Sequence, residues 1–144
     1  MGDGNQLTLM NYENYLGLDV SKTAILNNIA KFSDDPKKSF GLYYPQYFRN
    51  NNFINVDLSI CLDVLYHIDD EADYRKTLSD TLQASDKHVV LYTSIDRFQA
   101  DAKTLPHVKH RDILNYLAEY DLSYEIIRNE HPELSSADFI IINK

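Results

Sequence analysis

The chain has 144 residues, enough for one domain with a buried core, and its 44% hydrophobic and 25% charged content are those of a soluble globular protein. A formal net charge of −8 argues against a large nucleic-acid footprint, because affinity for a phosphate backbone rests on clustered Lys and Arg. Cys61 is the only cysteine, which excludes an intramolecular disulfide and a cysteine-based zinc cluster.

The chain begins Met1-Gly2-Asp3-Gly4-Asn5, and Gln6–Asn11 reads as a short helical segment. Tyr15–Leu18 reads as a strand running into Asp19-Val20-Ser21, where Ser21 suits a helix N-cap. The following pattern predicts a helix over 22–32 with Ile25, Ile29 and Phe32 on one face. Ser33-Asp34-Asp35-Pro36 ends it. Ser39–Tyr44 is the next expected strand, followed by a loop rich in Asn and aromatics to Asn55.

Val56–Leu62 is an apolar run that reads as a strand buried on both faces, ending in the polar tip Asp63-Val64-Leu65-Tyr66-His67. A helix is expected over Glu71–Gln83, with Tyr74, Leu78 and Leu82 inward, and a buried strand over Lys87–Thr93. Residues 95–109 read as a long polar connection, and 110–120 as a helix. Leu122–Asn129 and Ala137–Asn143 are the last strands. The seven residues between them are too few for a crossover helix, so they must pair antiparallel. Strand and helix alternate up to a closing hairpin. This order predicts an α/β, Rossmann-like, doubly wound and mostly parallel sheet with an antiparallel C-terminal hairpin, in one domain spanning residues 1–144.

In open α/β sheets ligands bind beyond the carboxyl ends of strands, which draws attention to Asp19 and Asp63. Gly2 and Gly4 would let backbone approach a ligand closely. An acid about 20 residues further on is the usual acceptor for ribose hydroxyls, and Asp19 stands fifteen residues after Gly4. Gly2-Asp3-Gly4 alone is a weak signal, since glycines near a terminus are more often a flexible end. Together with the strand ends at Asp19 and Asp63 it gains weight. His67 reads equally as a substrate-side base or as a partner of the acidic turn after it. His107, His110 and Arg111 form the one basic cluster, read either as a polar helix start or as an anion or substrate contact. Basic residues at a helix start oppose the macrodipole, which favours a functional reason. No third ligand accompanies His107 and His110, so no metal site is expected.

With these pieces in order, the sequence resembles the class I S-adenosylmethionine-dependent methyltransferases. GDGNQ is similar to the second half of their glycine-rich loop, YLGLDVS to their second strand with its ribose acid, and DLSICLDVLYHI to their fourth strand and turn. HVVLYTS is similar to the fifth strand, and the terminal strands through SADFIIINK to the closing hairpin. The resemblance implies that Gly2, Asp3 and Gly4 meet the amino-acid part of S-adenosyl-L-methionine. It puts Asp19 on the ribose, Val20 on the adenine, Leu62 and Asp63 beside the methionine portion, and His67 toward the acceptor. Catalytic roles are expected for His67 and Asp63, and substrate contacts for His67, His107, His110 and Arg111.

Two departures from the family pattern stand out. The family's first strand and the first half of its glycine-rich loop have no counterpart here, so an N-terminally truncated member is expected. Tyr43-Tyr44-Pro45 also stands where an acid is common after the third strand. An unpaired backbone group left buried costs about 1–3 kcal/mol, and a whole domain is stable by only about 5–15 kcal/mol. Losing a central strand therefore predicts compensation by a homo-oligomer, by strand exchange or by an unusual sheet order. The expected function is methyl transfer to a small-molecule acceptor, with no nucleic-acid or membrane partner, in the cytoplasm. The alternative is a non-catalytic binding or assembly module. A nicotinamide-binding Rossmann domain fits less well, because the glycine pattern is incomplete.

Overall fold

The computed structural model describes residues 2–95 and 108–144. The chain divides into two compact units, Met1–Phe48 and Arg49–Lys144.

In the first unit, β1 (Tyr15–Asp19) and β2 (Lys38–Leu42) form a parallel two-stranded sheet in which Tyr15 faces Lys38 and Asp19 faces Leu42. A parallel pair needs a crossover, and α1 (Lys22–Lys31) supplies it. Ser21 caps α1, its side chain accepting from the Ala24 amide at 3.2 Å, as the sequence predicts. The inward face of α1 differs from the expected one. Ile25 is buried, but Ile29 is 47% exposed, and the polar Asn28 is fully buried. Asn28 faces inward because its amide nitrogen donates to the Ala24 and Gly2 carbonyls at 2.8 and 2.9 Å. Phe32 stacks on Phe40 with centroids 5.9 Å apart, which ties the helix end to β2.

The second unit holds a four-stranded sheet in the order β3 (Val56–Leu62), β4 (Ser85–Ser94), β6 (Ala137–Asn143), β5 (Tyr124–Ile127). β3 and β4 are parallel, and β6 runs antiparallel to both β4 and β5. The closing hairpin is therefore present, with its antiparallel strand β6 inside the sheet rather than at an edge. α2 (Glu71–Gln83) links β3 to β4 with the predicted bounds, capped by Asp70 accepting from the Asp73 amide. Its Tyr74, Leu78 and Leu82 are buried as expected, in one cluster with Val89 and Leu91 of β4 and Ile140 and Ile142 of β6. Each such side chain stabilises the fold by about 1.5–3 kcal/mol. Ser85 lets α2 run directly into β4: its hydroxyl donates to the Asp57 carbonyl and accepts from the Lys87 and His88 amides, absorbing a register shift between β3 and β4. Asp138, fully buried, accepts from the Asn129 amide and the Arg128 guanidinium, both at 2.8 Å, and so fixes the hairpin connection.

Two expectations are corrected here. β3 is not buried on both faces: Cys61 faces the core, but Leu58 is 39% exposed, because the helices of this unit pack on one face of the sheet only. The helix expected over 110–120 starts later, as α3 (Ile113–Leu117), followed by a 3₁₀ turn to Tyr120. Asp112 caps α3 and accepts from the Leu114 amide, so His110 and Arg111 lie before the helix and do not oppose its dipole. Among the described residues, β1 pairs only with β2 and β3 only with β4. No helix of the described residues is long and apolar enough to cross a membrane.

Candidate functional site

The predicted binding residues of the first unit converge at the carboxyl end of β1. Gly2 and Gly4 both have positive φ, 56° and 71°, a backbone that glycine adopts without steric penalty. The Gly2 amide donates to Asp19 Oδ2 at 3.2 Å, and the Ser21 amide donates to Asp19 Oδ1 at 2.9 Å. Asp19 thus joins the glycine turn to the start of α1, at the strand end where ligands bind in open α/β sheets. Asp3 turns back on its own loop, accepting from the amide and side chain of Asn5 at 2.9 and 2.6 Å. Val20, next to Asp19, is 56% exposed, an apolar surface beside the carboxylate.

The two glycines are required for different reasons. Nothing lies within 4 Å of where a Gly2 side chain would begin, so this backbone is open to approach. Gly4 is buried, and a Cβ there would overlap Asn28 Oδ1 and stand 3.1 Å from the Phe32 ring. These residues suit a nucleoside-containing cofactor: an open glycine backbone, a carboxylate for ribose hydroxyls and an exposed apolar residue for a base lie together.

A second cluster forms in the other unit, at the carboxyl ends of β3 and β4. Leu62 closes β3 half-buried, and Asp63 follows with a left-handed backbone, φ 56°. Its amide donates to the Tyr92 carbonyl at 3.1 Å, and its carboxylate accepts from the Tyr66 hydroxyl. A non-glycine residue held at positive φ costs of order 1–3 kcal/mol and is concentrated at functional sites. Burial, then the hydrogen bond to Asp63, pushes the Tyr66 phenol well above its ordinary pKa, so it remains a donor at any physiological pH. His67 is exposed beside the Tyr66 ring, 4.6 Å between centroids.

His110 meets this cluster from the other side. Its Nδ1 is hydrogen-bonded to Ser94 Oγ at 2.6 Å, and its ring lies 6.1 Å from that of Tyr66. Ser94 is buried at the last position of β4. The segment carrying His110 is held against the turn after β3. The Lys109 amide donates to the Tyr66 carbonyl at 2.7 Å, and the Arg111 guanidinium donates to the Ile68 and Asp69 carbonyls at 2.7 and 2.8 Å. Arg111 also pairs with Glu71 at 3.0 Å and stacks on Tyr74, so it acts as a strut with a side chain only 6% exposed. His107 lies outside the described residues.

The sequence pattern brought Gly2, Asp19, Asp63, His67 and His110 to attention but missed Ser94, Tyr66 and Asn28. Tyr66 read as core. Ser94 carried a signal, a hydroxyl ending an apolar strand, and so did Asn28, a polar residue between the apolar positions Ile25 and Ile29. Among the described residues, no three or more His, Cys, Asp or Glu side chains are placed to hold a metal ion.

No protein-family model and no curated protein matches the sequence. Solved structures do. The methyltransferase domain of bacterial CtHen1 superposes with a TM-score of 0.71 at 15% identity, covering 99% of this chain and 85% of that one. This chain has the class I methyltransferase fold. Magnesium protoporphyrin IX methyltransferase (ChlM) from Synechocystis PCC 6803, solved with bound SAM, matches at TM-score 0.63 and 16% identity, over 91% of this chain and 59% of that one. N-methyltransferase NodS from Bradyrhizobium japonicum WM9, solved with S-adenosyl-L-homocysteine, matches at 0.63 and 17%, over 90% and 64%. The sequence resemblance assigns β1 and β2 to the second and third strands of that fold, β3 and β4 to the fourth and fifth, and β5 and β6 to the closing hairpin.

Proposed function

We propose that this chain binds S-adenosyl-L-methionine and transfers its methyl group to a small-molecule acceptor. The observation that carries the reading is the hydrogen bond between the Gly2 amide and Asp19, which joins an open glycine turn to a carboxylate at a strand end within a methyltransferase fold. ChlM and NodS, which share that fold, are described with SAM or its demethylated product bound. In this reading Gly2, Asp3 and Gly4 face the amino-acid part of the cofactor, Asp19 takes the ribose hydroxyls and Val20 packs on the adenine. Leu62 and Asp63 flank the methionine portion.

When bound, the cofactor supplies an electrophilic methyl group on a sulfonium, whose leaving group is neutral, so the protein's task is mainly to align the acceptor. A base is needed only if the acceptor must lose a proton. His67 and His110 are the imidazoles we assign to that side, His110 with its ring oriented by Ser94. The chain's charge of −8 supports a small acceptor over a polyanionic one.

Ultraviolet crosslinking of methyl-labelled S-adenosylmethionine, followed by peptide mapping, tests the reading. Label is expected on peptides containing residues 2–20 and 62–67. Absence of label, or label confined elsewhere and undiminished by excess unlabelled cofactor, contradicts it.

A further inference from the structure

Asn28 is polar, fully buried and central in α1, a position that both helix propensity and burial disfavour for asparagine. Its Nδ2 hydrogens are both used, on the Ala24 carbonyl of its own helix and on the Gly2 carbonyl. Its Oδ1 is the one buried side-chain polar atom among the described residues that lacks a hydrogen-bond partner. That oxygen lies against Gly4, where any Cβ would overlap it and stand 3.0 Å from Asn28 Cγ. One amide therefore touches both glycines of the turn: it grips the carbonyl of the first and bars a side chain from the second. Lys31, one turn further along α1, reinforces the same segment through Asn5 Oδ1 at 2.6 Å and the Asp3 carbonyl at 3.4 Å.

We propose that Asn28 is a positioning residue for the cofactor: its buried amide sets the conformation of the Gly2–Gly4 turn and thereby presents the Gly2 backbone and Asp19 to the ligand. The inference rests on the cofactor reading above. The turn has few other constraints. Among the described residues, its other side-chain hydrogen bonds are the 3.2 Å bond from the Gly2 amide to Asp19, those between Asp3 and Asn5, and the Lys31 contacts. Without the Asn28 grip, the left-handed backbone at Gly2 and Gly4 would be one of several accessible to glycine, and ligand binding would have to fix it. The unsatisfied oxygen follows from the same geometry, since the close approach that bars a Cβ at position 4 also leaves no room for a donor.

A double-mutant cycle on wild type, Asn28→Ala, Gly4→Ala and the double variant tests this, with S-adenosylhomocysteine affinity by calorimetry and ligand-free melting temperature as readouts. Asn28→Ala is expected to weaken binding about tenfold, the equivalent of one hydrogen bond. Gly4→Ala is expected to weaken it more in wild type than in the Asn28→Ala background, because removing the amide removes the overlap. The melting temperatures should show the same non-additivity. Should Asn28→Ala fail to fold, Asn28→Leu keeps the volume without the donor and should still lose affinity. If Asn28→Ala lowers only the melting temperature while the folded protein binds with unchanged affinity, Asn28 is merely structural and the inference is overturned. Strictly additive effects in both readouts also overturn it. A wild type that binds no ligand overturns the cofactor reading instead, and the ligand-free melting cycle then decides the Asn28–Gly4 contact by itself.

Discussion

Glu71 sits at a junction that ties Arg111 to α2 and α3, and replacing it with glutamine should have a pH signature. Its carboxylate accepts from Arg111 Nε at 3.0 Å, Arg75 Nε at 3.0 Å and the Tyr116 hydroxyl at 2.9 Å. Burial opposes ionisation of Glu71, but the Tyr116 hydroxyl and the two guanidiniums outweigh it and hold the carboxyl below the usual range. A hydrogen bond to a charged group contributes about 1.5–3 kcal/mol. The Glu71 side chain is 47% exposed, so solvent screening reduces each contribution. Arg75 keeps Glu119, and Arg111 keeps the Ile68 and Asp69 carbonyls, so the expected loss in Glu71→Gln is about 1–2 kcal/mol at pH 7. The folded-state pKa is depressed, so this stabilisation is full above the unfolded-state value, about 4.3, and is lost as pH falls through the folded pKa. Urea melts of wild type and variant from pH 7 to pH 2.5 should therefore differ by that amount at neutral pH and converge in acid. A gap that stays constant down to pH 2.5, or no gap at pH 7, would refute the reasoning.

Other outcomes follow from the same structure. If Asp19 takes the ribose hydroxyls as proposed, Asp19→Ala should lower S-adenosylhomocysteine affinity at least a hundredfold by calorimetry, since two charge-assisted hydrogen bonds are worth about 3 kcal/mol or more. Leu78→Ala, at a site 1% exposed between α2 and the sheet, should cost about 2–5 kcal/mol in chemical denaturation. The Cys61 thiol, buried and pushed up to about 11 by that burial, should resist a disulfide exchange reagent in native protein and react only on unfolding; fast native-state labelling would contradict its placement. β1 and β3 each pair on one side only among the described residues, so light scattering should show association that rises with concentration, and a strict monomer throughout would remove self-association.

Much of the fold was legible because each element carried its own local chemistry. β3 and α2 have the bounds that their apolar runs and turn residues specify, and Ser21 caps α1 as its type and position predict. The short link before Ala137 could only make an antiparallel pair, and it does. Long-range hydrogen bonds were not legible. Nothing in the pattern around Asn28 says that Gly2 lies against it, so Ile29 took the inward position in the sequence reading. Likewise Ser94 and His110, sixteen residues apart, meet where Arg111 and Lys109 dock on the carbonyls after β3. Asp112, not a basic residue, starts the last helix, because its carboxylate can cap and an imidazole or guanidinium cannot accept from an amide.

The central claim is that the glycine turn and Asp19 form a cofactor site. Calorimetric titration of the wild-type chain with S-adenosylhomocysteine tests it most directly. The structure predicts a saturating one-to-one isotherm with a dissociation constant below about 1 mM, lost in Asp19→Ala. No heat at millimolar ligand, or an isotherm that Asp19→Ala leaves unchanged, would contradict it.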